Sequence, residues 1–273
     1  MPIKTPIYRF FAPSSGSVYY YSDELPGDAI TPTIIGFSGD STYTEEVFAS
    51  AGPDSVSGLT FWLEADQYDA GTWNPTTNAG AAWEWVPDTS ALTVTSSGGN
   101  TLIDIPASTY AEADAFSSYF TTNSWHVFVV GVRDETTSKS STSNWLNHRL
   151  LGDGAGWWGM YHKYNGGPEQ AYGFMYNGGQ YTQIDTAAPK GTLYLYEWYK
   201  PVGIETATFR VNGEVAVTGG TTTPAVGNMN GPLNVGEDML GGLGEVLIYS
   251  GTLSAEDQAT VRSYLISKYN FSF

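Results

Sequence analysis

Residues 207–217 read Ala-Thr-Phe-Arg-Val-Asn-Gly-Glu-Val-Ala-Val, residues 232–236 read Pro-Leu-Asn-Val-Gly, and residues 243–249 read Leu-Gly-Glu-Val-Leu-Ile-Tyr. Stretches this rich in β-branched and aromatic residues, bounded by Gly, Asn and Pro, are typical of strands. An Asn-Gly pair between two such runs is a strong hairpin signal. A hairpin, a short strand ending in glycine and a central strand, in this order, predict the closing part of a two-sheet antiparallel β-sandwich.

The Asn212-Gly213 hairpin allows its register to be predicted. A two-residue loop would place Phe209 opposite Ala216 and would mix the two faces of the hairpin. A three-residue connection, with Gly213 as a left-handed bulge residue, would place Phe209 opposite Val215 and Ala207 opposite Val217. We expect the second register, because one face of a half-buried hairpin must be apolar.

A single helix is predicted, directly after the central strand. Ser254 is a good N-cap, and Asp257 follows three residues later as in a capping box. Val261, Leu265 and Tyr269 recur every four residues, which gives one buried stripe. Lys268 lies at the C-terminal end, where the helix dipole favours a positive charge.

The rest of the composition also favours an all-β protein. The 273 residues include 19 Tyr, 9 Trp and 32 Gly, a mixture that suits pleated surfaces joined by turns. We expect an exposed loop at 135–144. The predicted strands are Leu59–Ala65, Ala91–Thr95, Thr101–Ile105, His126–Arg133, Arg149–Gly152, Trp158–Tyr164, Ala171–Tyr176, Gln180–Asp185, Leu193–Lys200, Thr206–Val211, Glu214–Thr218, Leu233–Val235 and Leu243–Tyr249.

The net charge is −17, from 28 acidic and 11 basic residues. A nucleic-acid backbone would be repelled, so DNA and RNA are not expected partners. The acidic residues are scattered, which is typical of a charge that keeps a protein in solution. No cofactor is required by any motif. Ca²⁺ is an open alternative because several acids fall in predicted loops or at strand ends, without a ligand pattern. They are Asp153, Asp185, Glu237 and Asp238.

The chain has no cysteine, which excludes disulfides and thiolate catalysis. Its three histidines, His126, His148 and His162, show no metal-ligand spacing. No apolar run is long enough to span a membrane, and the start Met-Pro-Ile-Lys-Thr lacks the apolar core of a signal peptide. The aromatic, lysine-poor composition nevertheless looks extracellular. A protein made in the host cytoplasm and released on a virus particle would reconcile both observations.

The first fifty residues form a predicted N-terminal attachment module (1–50), followed by a β-sandwich at 51–273. Prolines interrupt short apolar segments throughout the module, and Tyr8-Arg9-Phe10 and Tyr20-Tyr21 resemble the tyrosine-rich repeat of bacterial and phage surface proteins. We expect its aromatic residues to form the assembly interface, because such side chains dominate interface cores. These residues are Tyr8, Phe10, Tyr19, Tyr20 and Tyr21.

From residue 51 onward the chain resembles the laminin-G-like, concanavalin-A-like sandwiches common in phage structural proteins. The resemblance rests on 58–66 (Gly-Leu-Thr-Phe-Trp-Leu-Glu-Ala-Asp), on Trp85 and Asp88, on 125–133, and most specifically on the C-terminal third. There Val211-Asn212-Gly213, 233–236 and 244–249 match the family's hairpin and closing strands. The resemblance implies a jelly-roll sandwich that holds or binds, and a place on a virion.

An aromatic cluster is the best candidate ligand-binding site. Exposed flat aromatic rings stack on sugar rings or become buried in a partner protein. Strand alternation would place Trp157 and Tyr161 on one face and Trp158 on the other. The alternative is that most of these rings simply fill a large sandwich core. The candidate residues are Trp157, Trp158, Tyr161, Tyr164, Tyr172, Tyr176 and Tyr181.

Catalysis is not expected. Related sandwiches hydrolyse glucans with three closely spaced carboxylates on one strand, and glycoside hydrolysis needs a pair flanking the bond. This chain offers only Glu64 and Asp66 together, which we interpret as edge or loop residues or a Ca²⁺ contact. Glu245 stands alone in its strand. No Gly-x-Ser-x-Gly motif occurs in a strand-to-helix setting.

The sequence therefore predicts a non-enzymatic bacteriophage virion protein: a capsid decoration, a head or tail fibre, or a host-adsorption domain. Its expected partners are other virion proteins, a cell-surface glycan and further copies of itself in a homo-oligomer. A bacterial lectin-like surface protein and a glycan hydrolase are the alternatives. The sequence specifies neither the host nor the ligand, nor the position on the particle.

Overall fold

The computed structural model describes residues 52–69, 71–78, 83–86, 92–106, 109–113, 119, 124–133, 142–149, 157–164, 169–177, 180–189, 191–202, 207–219, 232–236, 239 and 241–273. The predicted attachment module and its tyrosines lie outside these ranges. Within them the protein is an antiparallel two-sheet sandwich with one helix, α1 (Ala255–Lys268). The predicted all-β fold class, with its C-terminal helix, is confirmed.

The strands are β1 (Leu59–Glu64), β2 (Thr77–Asn78), β3 (Trp83–Val86), β4 (Thr93–Ser97), β5 (Asn100–Ile105), β6 (Tyr110–Ala113), β7 (Trp125–Arg133), β8 (Thr142–Arg149), β9 (Trp157–Tyr164), β10 (Glu169–Asn177), β11 (Gln180–Ala187), β12 (Leu193–Lys200), β13 (Ala207–Val211), β14 (Glu214–Gly219), β15 (Leu233–Val235) and β16 (Gly241–Ser250). Nine form one sheet, in the order β14-β13-β12-β7-β16-β1-β2, with the β4–β5 hairpin joined to β16. The other sheet has seven, in the order β11-β10-β9-β8-β15-β6-β3.

Eight aromatic side chains lie among the described buried residues between the sheets. The indoles of Trp73 and Trp85 stack with their centroids 5.3 Å apart, and those of Trp125 and Trp198 meet edge to face at 5.8 Å. Trp73 donates its indole N–H to the backbone oxygen of Glu64 at 2.6 Å. Because a buried indole N–H needs an acceptor, this bond fixes the loop after β1 against the core.

Helix α1 packs on the outer face of the nine-stranded sheet. Its buried residues Val261, Leu265 and Tyr269 contact a second apolar cluster that includes Phe128 and Leu247 of the sheet. The predicted cap is present: the Asp257 backbone N–H donates to Ser254 Oγ at 3.0 Å, and that hydroxyl donates to the Asp257 carboxylate. The helix therefore begins and faces the sheet as its sequence predicts.

The predicted hairpin register is wrong. Val211 pairs with Glu214 across a two-residue loop, in which both Asn212 and Gly213 have positive φ (52° and 77°). The pairing then shifts by one residue, so that Phe209 lies opposite Val217. A bulge within β14, and not one at the glycine, restores a single apolar face. The backbone of Asn212 donates to Leu195 of β12, and its side chain accepts from it, which holds the turn in place.

The strands predicted from local sequence also differ from the structure: one was misplaced and three were missed. The region predicted as an exposed loop at 135–144 overlaps β8, which begins at Thr142, and the strand predicted from Arg149 onward instead ends there. Three short strands were not predicted: β2, β3 and β6. Their two to four residues are too few for alternation to be recognised, and they form because longer strands beside them offer pairing partners.

A set of buried polar groups lies where α1 crosses β7 and β12. The His126 ring is stacked between Phe128 and Tyr199, with centroid distances of 4.6 Å to each. His126 Nε2 lies 2.6 Å from the Glu197 carboxylate, to which Arg262 of the helix also donates two hydrogen bonds. An ionised carboxylate only accepts hydrogen bonds, so Nε2 carries the hydrogen.

Burial and pairing shift the pKa values of this cluster away from their usual ranges. Burial lowers the pKa of His126, and its effect exceeds the opposing effect of Glu197. For Glu197, burial acts to raise the pKa, but the hydrogen bonds from His126 and Arg262 outweigh it and lower the pKa to about 2. At neutral pH the cluster therefore holds a neutral imidazole and an ionised carboxylate.

The contact between the helix and the central strand predicts the effect of Gly244→Ala. A Cβ at Gly244 would lie 2.8 Å from Tyr269 Cε1 and 3.1 Å from Leu102 Cδ2. The Tyr269 ring would have to move, so we expect the free energy of unfolding to fall by about 1–3 kcal/mol. Amide hydrogen exchange should become faster throughout α1.

Gly99→Ala is the matched control. Gly99 has a φ of 86°, and a Cβ there would meet no atom within 4 Å. Its cost of about 1–2 kcal/mol comes from the left-handed backbone alone, and exchange in the helix should stay unchanged. Equal protection of α1 in both glycine variants would show that Tyr269 does not depend on Gly244.

The His126 cluster predicts that stability declines on acidification. Below pH 6.5 the imidazole of residue 126 becomes protonated in the unfolded chain, whereas buried His126 stays neutral because its pKa is lowered. Below pH 4.5 the carboxylate of residue 197 becomes protonated in the unfolded chain, whereas in the folded protein Glu197 stays ionised down to about pH 2. The unfolded chain thus binds more protons than the folded protein in both pH ranges. The free energy of unfolding therefore decreases as the pH is lowered. In His126→Gln, the decline between pH 6.5 and 4.5 should become shallower, as measured by chemical denaturation.

Glu256→Gln is the control, since this residue lies in the first turn of the helix, away from the imidazole. It should keep the wild-type slope near pH 6.5. Burial raises the pKa of Glu245, so its contribution to the pH dependence has the opposite sign and favours folding at low pH. This contribution is the same in the wild type and in both variants. An unaltered slope in His126→Gln would contradict the assignment.

Candidate functional site

The seven-stranded sheet has one face toward the core and one face away from it. Trp85, Ala111, Val235 and Met160 are buried in the core cluster between the sheets. The neighbouring cross-strand row runs through Glu84, Glu112, Asn234, Asn147, Gly159, Phe174 and Gln183. Since successive positions alternate in direction, this row lies on the outer face, which we call the platform face.

Register brings five of the seven predicted aromatic positions onto the platform face. Trp157 pairs with Tyr176, which also pairs with Tyr181, so three strands contribute to one row. Tyr161 and Tyr172 are paired in a second row, four residues further along β9. The two rows flank the position of Phe174, which the sequence analysis had not selected. The platform face therefore carries six aromatic positions on three adjacent strands.

The other two predicted residues do not share that face. Trp158 and Tyr164 lie an even number of residues from the buried Met160 in β9, so alternation places their positions on the core-facing side. The prediction of alternating faces for Trp157 and Trp158 thus agrees with the register. The seven predicted positions therefore divide between two faces, five on the platform face and two on the core-facing side.

Polar positions lie beside the aromatic rows. Arg149 pairs directly with Trp157, and Asp185 pairs with Tyr172. At the far end of the same face Glu84 is exposed and lies opposite Glu112. The platform face thus combines flat apolar positions with hydrogen-bonding and charged positions, the mixture found at sites that bind polar ligands with apolar faces.

A pair of carboxylates lies on the opposite side of the sandwich, beneath α1. Glu64, the last residue of β1, pairs with Glu245 of β16. Lys268 Nζ lies 2.8 Å from the Glu64 carboxylate and 3.0 Å from that of Glu245. Glu245 also accepts from the Trp62 indole at 2.8 Å and from the Tyr269 hydroxyl at 3.1 Å. We call Glu64, Glu245 and Lys268 the clasp.

The clasp corrects two interpretations of the sequence. Glu64 is not a loop residue: it is the last residue of β1, pairs with Glu245 and is 8% exposed. Glu245 has no second acid in its own strand, but the sheet places it opposite Glu64. Asp66 does lie outside the strands, in a 3-10 turn, and its exposed side chain is 3.3 Å from Lys268.

Electrostatics in the clasp reflect burial and mutual pairing. Burial raises the pKa of Glu245, and this effect exceeds the opposing effect of Lys268. Burial acts to lower the pKa of Lys268, but the Glu245 charge and the hydrogen bond to Glu64 outweigh it and raise that pKa. The Lys268 ammonium group therefore lies in ion-pair contact with both carboxylates.

Access to the clasp is also restricted. A polar cleft of about 560 Å³ opens nearby, lined by Gln67, Asp69, Thr72, Asn74, Pro75 and Thr76. Thr76 donates a hydrogen bond to Glu64 at 3.1 Å, but neither carboxylate lines the cleft. The pair is therefore separated from the cleft by a residue that already occupies one of its oxygens.

Within the described ranges, no three His, Asp or Glu side chains converge as a cation would require. The helix found there is too short and too polar to span a lipid bilayer. Asp153, Glu237 and Asp238 lie outside the described ranges, so the Ca²⁺ alternative stays a prediction.

No protein-family model and no curated protein sequence matches this chain. Its fold is similar to that of solved carbohydrate-related structures. Domain 4 of AbnA, an arabinanase from Geobacillus stearothermophilus, has a TM-score of 0.55 and 12% identity, over 77% of this chain and 99% of that domain.

Botulinum neurotoxin structures are similar in the same way. A type C structure has a TM-score of 0.57 at 8% identity, and the binding domain of neurotoxin DC has 0.57 at 9%. They match 76% and 78% of this chain, but this chain spans only about half of their length, 51% and 52%. Such low identities establish a shared sandwich fold and nothing finer.

Proposed function

We propose that this chain is a non-enzymatic structural protein of a bacteriophage particle, and that its platform face binds a cell-surface glycan. The sandwich is the ligand-binding part in this proposal, and residues 1–50 attach the chain to other virion proteins. Host adsorption or capsid decoration would then be the role of the exposed sandwich.

The observation that carries glycan binding is the convergence of six aromatic positions on one sheet face. Five were selected from sequence as candidate ligand-binding residues, and the strand register unites them although they come from three strands. Sugar rings have an apolar face and a polar rim, so a ligand of this kind fits flat aromatic positions beside polar ones such as Arg149 and Gln183.

Proteins of the same fold support this choice of ligand. The AbnA domain was solved in complex with arabinotriose, and the neurotoxin DC binding domain in complex with SialylT. Botulinum neurotoxin type C interacts with two ganglioside molecules. These are properties of those proteins. They make a glycan the first class of ligand to test here.

The state of the clasp supports a non-enzymatic role. Both carboxylates are engaged by Lys268, and Glu245 is 1% exposed. A glycosidase needs one protonated and one ionised carboxyl group on either side of an accessible bond. Asp66 is an accessible acid beside the pair, and it too lies next to Lys268.

The virion role is supported by the sequence. The resemblance to phage sandwiches, the acidic cysteine-free composition and the tyrosine-rich N-terminal segment all favour it. The platform face lies on the other side of the sandwich from α1.

Glycan binding is predicted to depend on the aromatic rows. Tyr181→Ala on edge strand β11 and Tyr176→Ala beside it should each weaken binding to bacterial envelope glycans about tenfold, because aromatic truncation at a binding surface costs about 1.4 kcal/mol or more. Glycan arrays would identify the ligand, and calorimetry would measure its affinity. The bound glycan should be recovered without cleavage.

Glu84→Ala is the matched control, because it lies on the same face of the same sheet but at its far end. It should bind like the wild type. Release of sugar fragments that Glu64→Gln abolishes would favour the hydrolase alternative. Equal loss in all three binding variants would argue against a localised site.

Attachment to the particle is predicted to be separable from glycan binding. Quantitative mass spectrometry of purified particles should detect the wild-type chain and the Tyr181→Ala variant in equal amounts. Replacing Tyr8, Phe10, Tyr19, Tyr20 and Tyr21 together with Ser should remove the chain from particles while glycan affinity persists. Absence of the wild-type chain from particles would remove the virion role and leave glycan binding to be judged alone.

A further inference from the structure

Strand β4 (Thr93–Ser97) forms an open edge of the nine-stranded sheet. In the described part of the chain it pairs with β5 and with no other strand. Its first four residues are exposed, and Val94, at 61%, is among the most exposed large apolar side chains described. An edge of this kind presents unpaired backbone groups that can pair with another strand.

The β4–β5 turn decides which backbone groups point outward. Gly98 and Gly99, both with positive φ, form a two-residue loop, and Ser97 pairs with Asn100. In such a hairpin the residues flanking the loop exchange both hydrogen bonds, and every second pair repeats the pattern. Ser97, Thr95 and Thr93 therefore direct their backbone groups toward β5.

The outward groups are those of Val94 and Ser96. They lie symmetrically about Thr95, one residue on either side. An antiparallel copy of the same strand would place Val94 opposite Ser96 twice, with Thr95 on the two-fold axis. Each Val94–Ser96 pair would exchange two hydrogen bonds, so all four outward donors and acceptors in each copy's edge would be satisfied.

The distribution of charge makes this edge a more favourable place for a second copy of the chain than most of the surface. The chain carries a net charge of −17, but residues 89–103 contain no charged residue. Strand β4 also lacks the lysine, proline or bulge by which exposed edges are usually protected. Two acidic molecules can thus approach here without placing like charges opposite each other.

We propose that β4 is a homodimer interface, in which two nine-stranded sheets join edge to edge about a two-fold axis through Thr95. The partner's Ser96 lies opposite Val94, on the face that β4 shares with Ile103 of the core. A five-residue edge is a small contact, so the affinity should be in the micromolar range or weaker. The proposal does not depend on glycan binding, although two linked platform faces would increase avidity.

Cysteine cross-linking tests the two-fold axis directly, because the full-length chain contains no cysteine. Residues facing each other in a non-hydrogen-bonded antiparallel pair have Cα atoms about 4.5 Å apart, within the range of a disulfide. Thr95→Cys should therefore form a covalent dimer in mild oxidant. In Val94→Cys, the two thiols would be offset by two residues, and the dimer should form at least tenfold more slowly.

Sedimentation of the full-length chain supplies the second test. The wild type should show a concentration-dependent monomer–dimer equilibrium. Ser96→Pro removes an outward N–H without removing a hydrogen bond to β5 and should stay monomeric, with an unchanged melting temperature. Ser96→Ala keeps that N–H and should dimerise like the wild type.

Several results would overturn the proposal. They are a monomeric wild type at all accessible concentrations, a dimer that persists in Ser96→Pro, a dimer lost equally in Ser96→Ala, and equal cross-linking of the two cysteine variants. None of these results bears on the platform face, whose glycan affinity is measured separately on the monomer.

Discussion

The ion pair between Lys268 and two adjacent glutamates joins helix α1 to the nine-stranded sheet. Two carboxylates that face each other across β1 and β16 would repel strongly when buried. Lys268 reaches them from the last turn of α1 and shares Glu245 Oε2 with the Tyr269 hydroxyl, while the Trp62 indole donates to Glu245 Oε1. Such a set holds the helix in one place, because removing Lys268 would leave two buried carboxylates facing each other without a cation.

The position of the helix has a functional consequence. With α1 on the nine-stranded sheet, the outer face of that sheet is occupied by part of the protein itself. The platform face belongs to the other sheet, and its aromatic positions are distinct from the tryptophans that fill the interior. Trp73, Trp85, Trp125 and Trp198 form the core, so the abundance of aromatic residues in the sequence has two separate causes.

Local features of the structure could be predicted from the sequence, and long-range ones could not. The Ser254 cap and the Val261, Leu265 and Tyr269 stripe depend on residues within one or two helical turns. The pairing of Glu64 with Glu245 depends on the register of strands nearly two hundred residues apart, and no spacing along the chain encodes it. The hairpin at Asn212 shows an intermediate case: the turn was predicted, but a bulge in β14 places Val217, and not Val215, opposite Phe209.

The same distinction applies to the candidate binding site. Alternation within β9 separates Trp157 from Trp158 on the basis of sequence alone. Only the register between β9, β10 and β11 shows that Tyr172, Tyr176 and Tyr181 fall on the side of Trp157, and that Phe174 lies between the rows. The sequence supplied the candidate residues, and cross-strand pairing shows which of their positions share a face.

The central place of β16 bears on how the polypeptide is synthesised. This strand, near the C-terminal end of the described chain, pairs with β1, β5 and β7. All three leave the ribosome earlier, so each has an unpaired side until residue 250 has been made. Strand pairings between residues this distant in sequence form slowly, and the intermediates with unpaired edges are prone to aggregation. A growing chain would thus benefit from chaperone protection until its final strand arrives.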